Sequence, residues 1–190
     1  MNKLIVGLGN YTQNYNNTRH NAGFEFIDAF CRFSNLKLKY SKLFQGEIVK
    51  FKYDFDTIFL LKPFTFMNNS KISVERIVNY YSIKNDDILI VLDDINISLG
   101  TLRAKEKGSS GGQKGLESII DYLNTISVKR LRIGISKSTI DVVDYVLSKF
   151  TAEEQIIMDK VNSDAKIIIN KYLSSSFEEF MSFINGRKYE

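Results

Sequence analysis

One histidine, His20, is all the imidazole this chain has, and it sits in a polar cluster just after an apolar run: Asn2 to His20 reads NKLIVGLGNYTQNYNNTRH. Imidazole is the side chain whose ordinary pKa lies near neutrality, so acid–base chemistry at neutral pH would fall to His20. Alone, a histidine at a helix start is more often a capping or surface residue than a catalyst. The N-terminal end of a helix disfavours imidazolium and leaves the ring able to take up a proton. A carboxylate behind the ring would pull the opposite way and orient it. Asp93, at the end of the apolar run Asp87 to Leu92, is the candidate for that carboxylate; Asp94 suits a turn or cap.

Two further segments carry usable groups. Phe64 to Ser70 (FTFMNNS) places aromatics and a methionine beside amides, directly after the only proline, Pro63. Its phenylalanines can anchor a loop inward, or Phe66 can offer a face to a nucleobase and Asn68 an amide to a carbonyl; base stacking of this kind is worth roughly 1–3 kcal/mol. Lys105 to Lys114 (KEKGSSGGQK) joins glycines to cations, which suits close backbone approach to a phosphate as well as a solvated loop. It is not a P-loop, because GxxxxGK[ST] is absent. Gly7-x-Gly9 after a strand invites a dinucleotide-binding reading that fails at Thr12, where a glycine is required. These glycines are expected simply to let the chain turn sharply at the sheet edge.

Behind these groups lies an alternation of elements. Lys3 to Leu8 and Asp87 to Leu92 read as continuous apolar strands of the kind buried on both faces, and Leu131 to Ile135 as another strand. Glu47–Lys52 and Thr57–Leu61 read as two strands around a polar turn. Helices are expected from Thr18, as N-cap, with Ala22, Phe26, Phe30 and Phe33 in register; from Ser70, with Ile72, Ile77, Val78 and Tyr81; and from Gly115 to Leu123. In the tail, Thr151/Glu154 and Ser176/Glu179 are capping boxes; the first opens a helix carrying Ile156, Ile157, Val161 and Ile168, and Gly186 can end the second. The expected fold is α/β: one domain over residues 1–190, with a central mixed, largely parallel twisted sheet flanked by helices and the C-terminal helices packed on one side. Sites in such sheets form beyond the carboxyl ends of the strands, where Gly9-Asn10 and Asp93-Asp94 fall.

Composition narrows the class. The chain has 190 residues, 44% hydrophobic and 25% charged, with net charge +4. The mild positive excess is uneven: Arg103, Lys105, Lys107 and Lys114 surround the glycine-rich stretch, Lys129, Arg130 and Arg132 precede a strand, and acids gather in the C-terminal third. The lone Cys31 falls on an apolar helical face and fits packing in a reducing compartment. The N-terminal apolar stretch is too short for a signal peptide, and no run approaches the ~18 residues of a membrane span, so a cytoplasmic protein is expected.

Taken together, GLGN…Y…TRHNAGF (Gly7 to Phe24), KPFTFMNNS (Lys62 to Ser70), VLDDIN (Val91 to Asn96), GSSGGQKGLESI (Gly108 to Ile119) and RLRIGI (Arg130 to Ile135) resemble the bacterial peptidyl-tRNA hydrolases in order and spacing, over most of the chain. The resemblance implies a cytoplasmic monomer, without metal or cofactor, that cleaves the ester between a peptide and the terminal ribose of tRNA. It implies His20 as general base, Asp93 as the group holding it basic, and Asn10 as a contact to the peptide end. Tyr15, Phe66 and Asn68 would line the site around the substrate 3′ end. Lys105 and Arg132 would clamp the 5′ phosphate of the acceptor stem, with Arg103 nearby.

Three departures stand out. Tyr11-Thr12 replaces the usual Pro-Gly, Lys71 replaces a glycine, and Gln113-Lys114 stands where His-Asn is usual. Lys114 can donate to an oxyanion or phosphate but cannot accept a hydrogen bond from water, so altered catalytic efficiency is expected. The rival readings are a catalytically weakened RNA-binding relative of the same family and a small-molecule esterase. The esterase is disfavoured by the lack of a GxSxG elbow and of a second histidine.

Overall fold

The computed structural model describes residues 1–137 and 141–190. Its elements in chain order are β1 (Asn2–Gly7), α1 (Ala22–Phe33), β2 (Lys39–Ser41), β3 (Gly46–Tyr53), β4 (Asp56–Pro63), α2 (Ser70–Tyr81), β5 (Ile88–Asp94), β6 (Leu102–Lys105), α3 (Lys114–Leu123), β7 (Lys129–Gly134), α4 (Val142–Val146), α5 (Ala152–Ser163), α6 (Ala165–Ser174) and α7 (Phe177–Ile184). They build one seven-stranded sheet in the order β2-β3-β4-β1-β5-β7-β6. β4, β1, β5 and β7 are parallel; β3 and β6 run against their neighbours, so the sheet is mixed with a parallel centre. The apolar runs of β1 and β5 are buried on both faces, as central parallel strands require. One face packs on α1 and the C-terminal helices α5, α6 and α7, through residues such as Phe26, Met158, Ile168 and Phe180. The other is covered by α2 and α3, through Val74, Ile77, Leu116 and Ile119.

The α/β architecture and one-sided packing of the tail follow the sequence reading, and both capping boxes are formed. Several local expectations are corrected. Thr18 caps no helix with its side chain; it precedes a 3₁₀ turn, Arg19–Asn21, and its hydroxyl donates to the Tyr15 carbonyl. β7 starts at Lys129, so Lys129, Arg130 and Arg132 lie within the strand rather than before it. The helix opened by Thr151 breaks at Asp164 into α5 and α6, leaving Ile156 exposed. β2 and β6 were not legible as strands: each is three or four residues long at a sheet edge and carries exposed charges.

The N-terminal glycines also act differently from the expectation. Neither Gly7 nor Gly9 has positive φ, and β1 is central in the sheet. They permit close packing instead. A Cβ on Gly7 would lie 2.4 Å from the Gly23 carbonyl oxygen, and one on Gly23 would lie 2.4 Å from the Val91 carbonyl oxygen and 2.6 Å from the Leu8 nitrogen. The start of α1 therefore rests on the backbone of β1 and β5, which sets the preceding 3₁₀ turn against the end of β5. Because the clashing atoms are backbone, Gly23→Ala is expected to cost about 3 kcal/mol, seen as a lower urea midpoint at unchanged slope.

Candidate active site

At the carboxyl ends of β1 and β5 lies a cleft of about 650 Å³. Its floor holds Asn10, His20, Met67 and Asp93; Tyr15, Phe66, Asn68 and the segment Ser110 to Lys114 rim it, and Val142, Val143, Val146 and Leu147 supply an apolar wall.

The ring of His20 is delivered by the 3₁₀ turn, and the carboxylate of Asp93 by the end of β5. His20 Nδ1 lies 2.8 Å from Asp93 Oδ2, with the side chains 12% and 2% exposed. A carboxylate only accepts, so Nδ1 carries the proton, and the neutral ring keeps its lone pair on Nε2. The second oxygen of Asp93 accepts from Gln113 Nε2 at 3.1 Å. Gln113 is fixed in turn, since its Oε1 accepts from the Leu116 N–H at 2.8 Å as the N-cap of α3. Burial alone would push the imidazole pKa down. The charge and hydrogen bond of Asp93 outweigh it, and the pKa lies above the ordinary 6.5. The carboxylate, not the helix end, therefore decides which way the ring is tuned.

A second layer positions the turn itself. Asn21, beside His20, accepts the Asn10 N–H at 2.7 Å and donates to the Asn10 carbonyl at 3.0 Å. Asn10 Oδ1 accepts the Met67 N–H at 2.9 Å, tying the end of β1 to the Phe64–Ser70 loop. Phe66 holds φ = 58°, a backbone conformation costing about 1–3 kcal/mol in a non-glycine residue, and its ring is 43% exposed on the cleft rim. Asn68 is exposed on the same rim, and its side chain makes no hydrogen bond among the described residues. Buried Arg19 bonds Glu154 at 2.6 Å and Ser148 at 3.2 Å, and its guanidinium lies 4.3 Å from the Tyr145 ring centre. It thereby braces the α4 segment against the turn that carries His20.

The cations sort into different tasks. Arg103 and Arg132 are directly opposed on the antiparallel pair β6/β7 and so project from one face. Arg132 Nη1 is 2.9 Å from Asp94 Oδ2, while its buried Nε has no acceptor among the described residues. Lys105 is exposed at the end of β6. Arg130 does not face solvent: it is 1% exposed and donates to the carbonyls of Val128, Gly108, Ser109 and Ile126, clamping the glycine-rich loop. Lys114 touches the cleft rim, but its ammonium is paired with Glu117 at 2.9 Å on the exposed side of α3. Cys31 is buried, and burial pushes its thiol up to about 12, which fits a packing role. Among the described residues, no three His, Cys, Asp or Glu side chains are grouped to hold a metal ion.

The sequence reading thus names the floor and the loop residues, and these meet in one cleft. It missed Gln113 as the partner of Asp93, Asn21 as the clip on Asn10, and the α4 wall. A signal for the wall was present: Asp141 ahead of Val142-Val143 is an N-cap before an apolar pair, and its carboxylate accepts from Val143 and Asp144.

The pH dependence follows from the raised His20 pKa. The pair stabilises the fold fully below about pH 6.5, and the contribution is lost as pH rises through the folded-state value. A base must be uncharged to accept a proton, so any activity relying on His20 falls on the acid side of that raised value. In Asp93→Asn the raising interaction is gone while burial remains. The acid limb of the pH–rate profile is therefore expected to move to lower pH, and kcat to drop about 10²-fold or more as the tautomer is released.

Comparison with known proteins identifies the family and the fold. A family model described as peptidyl-tRNA hydrolase matches residues 4–190. A peptidyl-tRNA hydrolase of Malacoplasma penetrans is 43% identical over 183 residues, covering 96% of this chain and 97% of that protein. One from Staphylococcus haemolyticus is 39% identical, covering 97% and 98%. The crystal structure of peptidyl-tRNA hydrolase from Acinetobacter baumannii superposes with a TM-score of 0.92 at 34% identity, covering 98% of this chain and 95% of that one. With a matching family model over nearly its whole length, and relatives of that name at these identities, the chain belongs to the peptidyl-tRNA hydrolase family.

Proposed function

We propose that this protein hydrolyses the ester between a peptide and the 3′-terminal ribose of tRNA, releasing free tRNA, with His20 as the general base. The observation that carries this reading is the His20–Asp93–Gln113 chain of hydrogen bonds on the floor of the cleft, in a member of this family.

Water between His20 and Asn68 gives its proton to Nε2 as its oxygen attacks the ester carbonyl. The tetrahedral intermediate carries its negative charge on the former carbonyl oxygen. The side-chain amides of Asn10 and Asn68 are the donors for it; Asn10 uses its oxygen on Met67 and so turns its NH₂ to the substrate. Collapse breaks the bond to the ribose O3′, which takes the proton back from His20. General-base help of this sort contributes about 10²–10⁴-fold. Tyr15 and Phe66 flank the terminal adenosine. Arg103, Lys105 and Arg132 take the acceptor-stem phosphate, Arg132 through the exposed part of its guanidinium, which Asp94 holds at Nη1. Lys114 contributes charge to the RNA at the rim, since its pairing with Glu117 draws it from the reacting carbonyl. A monomer working in the cytoplasm goes with this reading, since one chain lines the whole cleft; no helix among the described residues is long and apolar enough to cross a membrane.

Incubation with N-acetyl-aminoacyl-tRNA, free aminoacyl-tRNA and an aryl ester tests the reading. Cleavage of the first alone is expected, weakening steeply as salt rises. Binding of tRNA without cleavage would favour the RNA-binding relative instead. His20→Asn is expected to lose about 10²–10⁴-fold in kcat while tRNA affinity stays near that of the wild type; retained turnover would remove His20 from the scheme.

A further inference from the structure

Beyond Phe66 the cleft opens onto a run of aromatic rings that the reaction outlined above does not use. Tyr11 lies 4.8 Å, centre to centre, from Phe66 and is stacked on Phe64 at 5.0 Å with 17° between the planes; Tyr40 lies 5.7 Å from Phe64. Tyr11, Phe66 and Tyr40 are 38%, 43% and 59% exposed. Large exposed rings in contact with one another form an apolar strip of a kind that marks a binding surface.

The sheet decides which part of a substrate it meets. Ser41, Gly46 and Pro63 are in register at one end of β2, β3 and β4, which places Tyr40 and Phe64 at the level of the cleft. In the strand order, the rings belong to the β4 and β2 side, the cations Arg103 and Arg132 to the β6 and β7 side, and His20 and Asp93 to the middle. β7 and β4 are three strand spacings apart, about 14 Å. RNA held by the cations with its terminal ribose over His20 therefore leaves the peptide to continue past Asn10 onto Tyr11, the next residue.

We propose that Tyr11, Phe64 and Tyr40, next to the Phe66 ring that flanks the adenosine, form a subsite for the peptide moiety and favour apolar or aromatic side chains in its last few residues. This rests on the hydrolase reading above. An extended peptide advances about 3.3 Å per residue, so three rings spaced 5.0 and 5.7 Å apart front roughly three residues. Aromatic and aliphatic side chains gain from the ring faces, whereas serine and glycine do not.

The test uses two substrates on one tRNA, N-acetyl-Phe-Leu-Phe-tRNA and N-acetyl-Ser-Gly-Ser-tRNA. The wild type is expected to cleave the apolar one with about tenfold higher kcat/KM, and Tyr11→Ser/Tyr40→Ser to bring the ratio near one. Inhibition by deacylated tRNA is expected to be the same in both proteins. Equal kcat/KM for the two peptides in the wild type overturns the proposal. So does loss of tRNA affinity in the double variant, which would assign the rings to RNA. Tyr40→Ser alone, at the most exposed ring, is expected to lower the ratio part of the way and gives the answer if the double variant does not fold. Cleavage of neither substrate by the wild type would instead refute the hydrolase reading, and the subsite with it.

Discussion

The hydrogen bond from His20 Nδ1 to Asp93 Oδ2 joins residues 73 apart in sequence, and most of what surrounds it holds its two ends in place. The histidine end depends on α1 lying against bare backbone, which only glycine at positions 7 and 23 allows. The aspartate end depends on β5 being buried between β1 and β7, with its last residues still paired to β7 but running past the last pair with β1. Gln113 closes the arrangement by occupying the second carboxylate oxygen, so the carboxylate has one orientation to offer the ring. Between two side chains this deeply buried, such a bond is electrostatically stronger than in water, and a misplaced carboxylate would cost correspondingly more.

The cleft is polar across the width of the sheet. Cations stand on the β6 and β7 edge, the titrating pair in the centre, and aromatic rings on the β4 and β2 side. A substrate that is polyanionic at one end and peptide at the other matches this gradient. The apolar wall of α4 is a separate contribution, held down by an arginine that is almost wholly buried and spends its charge on Glu154 and two aromatic faces. Arg130 is used in the same structural way, on four carbonyls, and its burial beside Arg132 lowers its pKa to about 10. Two of the cations suggested by a basic composition are thus internal fasteners, which is why charge counts overstate the surface available to RNA.

Much was legible before any coordinates. Continuous aliphatic runs identify β1 and β5 because a strand buried on both faces needs apolar residues at nearly every position. The capping boxes at Thr151 and Ser176 are local chemistry between residues three apart, and they formed as read. The lone histidine, Asn10 and Asp93 are marked by residue type and by position after strands, Asn68 by its loop of aromatics and amides, and the family resemblance joins them into one site. The tertiary structure decided where side chains point. Lys114 turns to Glu117 and Gln113 to Asp93, although they are neighbours in sequence, because the first turn of α3 puts one outward and the other inward. The edge strands β2 and β6, the α4 wall and the aromatic strip exist only once distant segments are brought side by side. No local period announces them, since their stabilising partners lie tens of residues away.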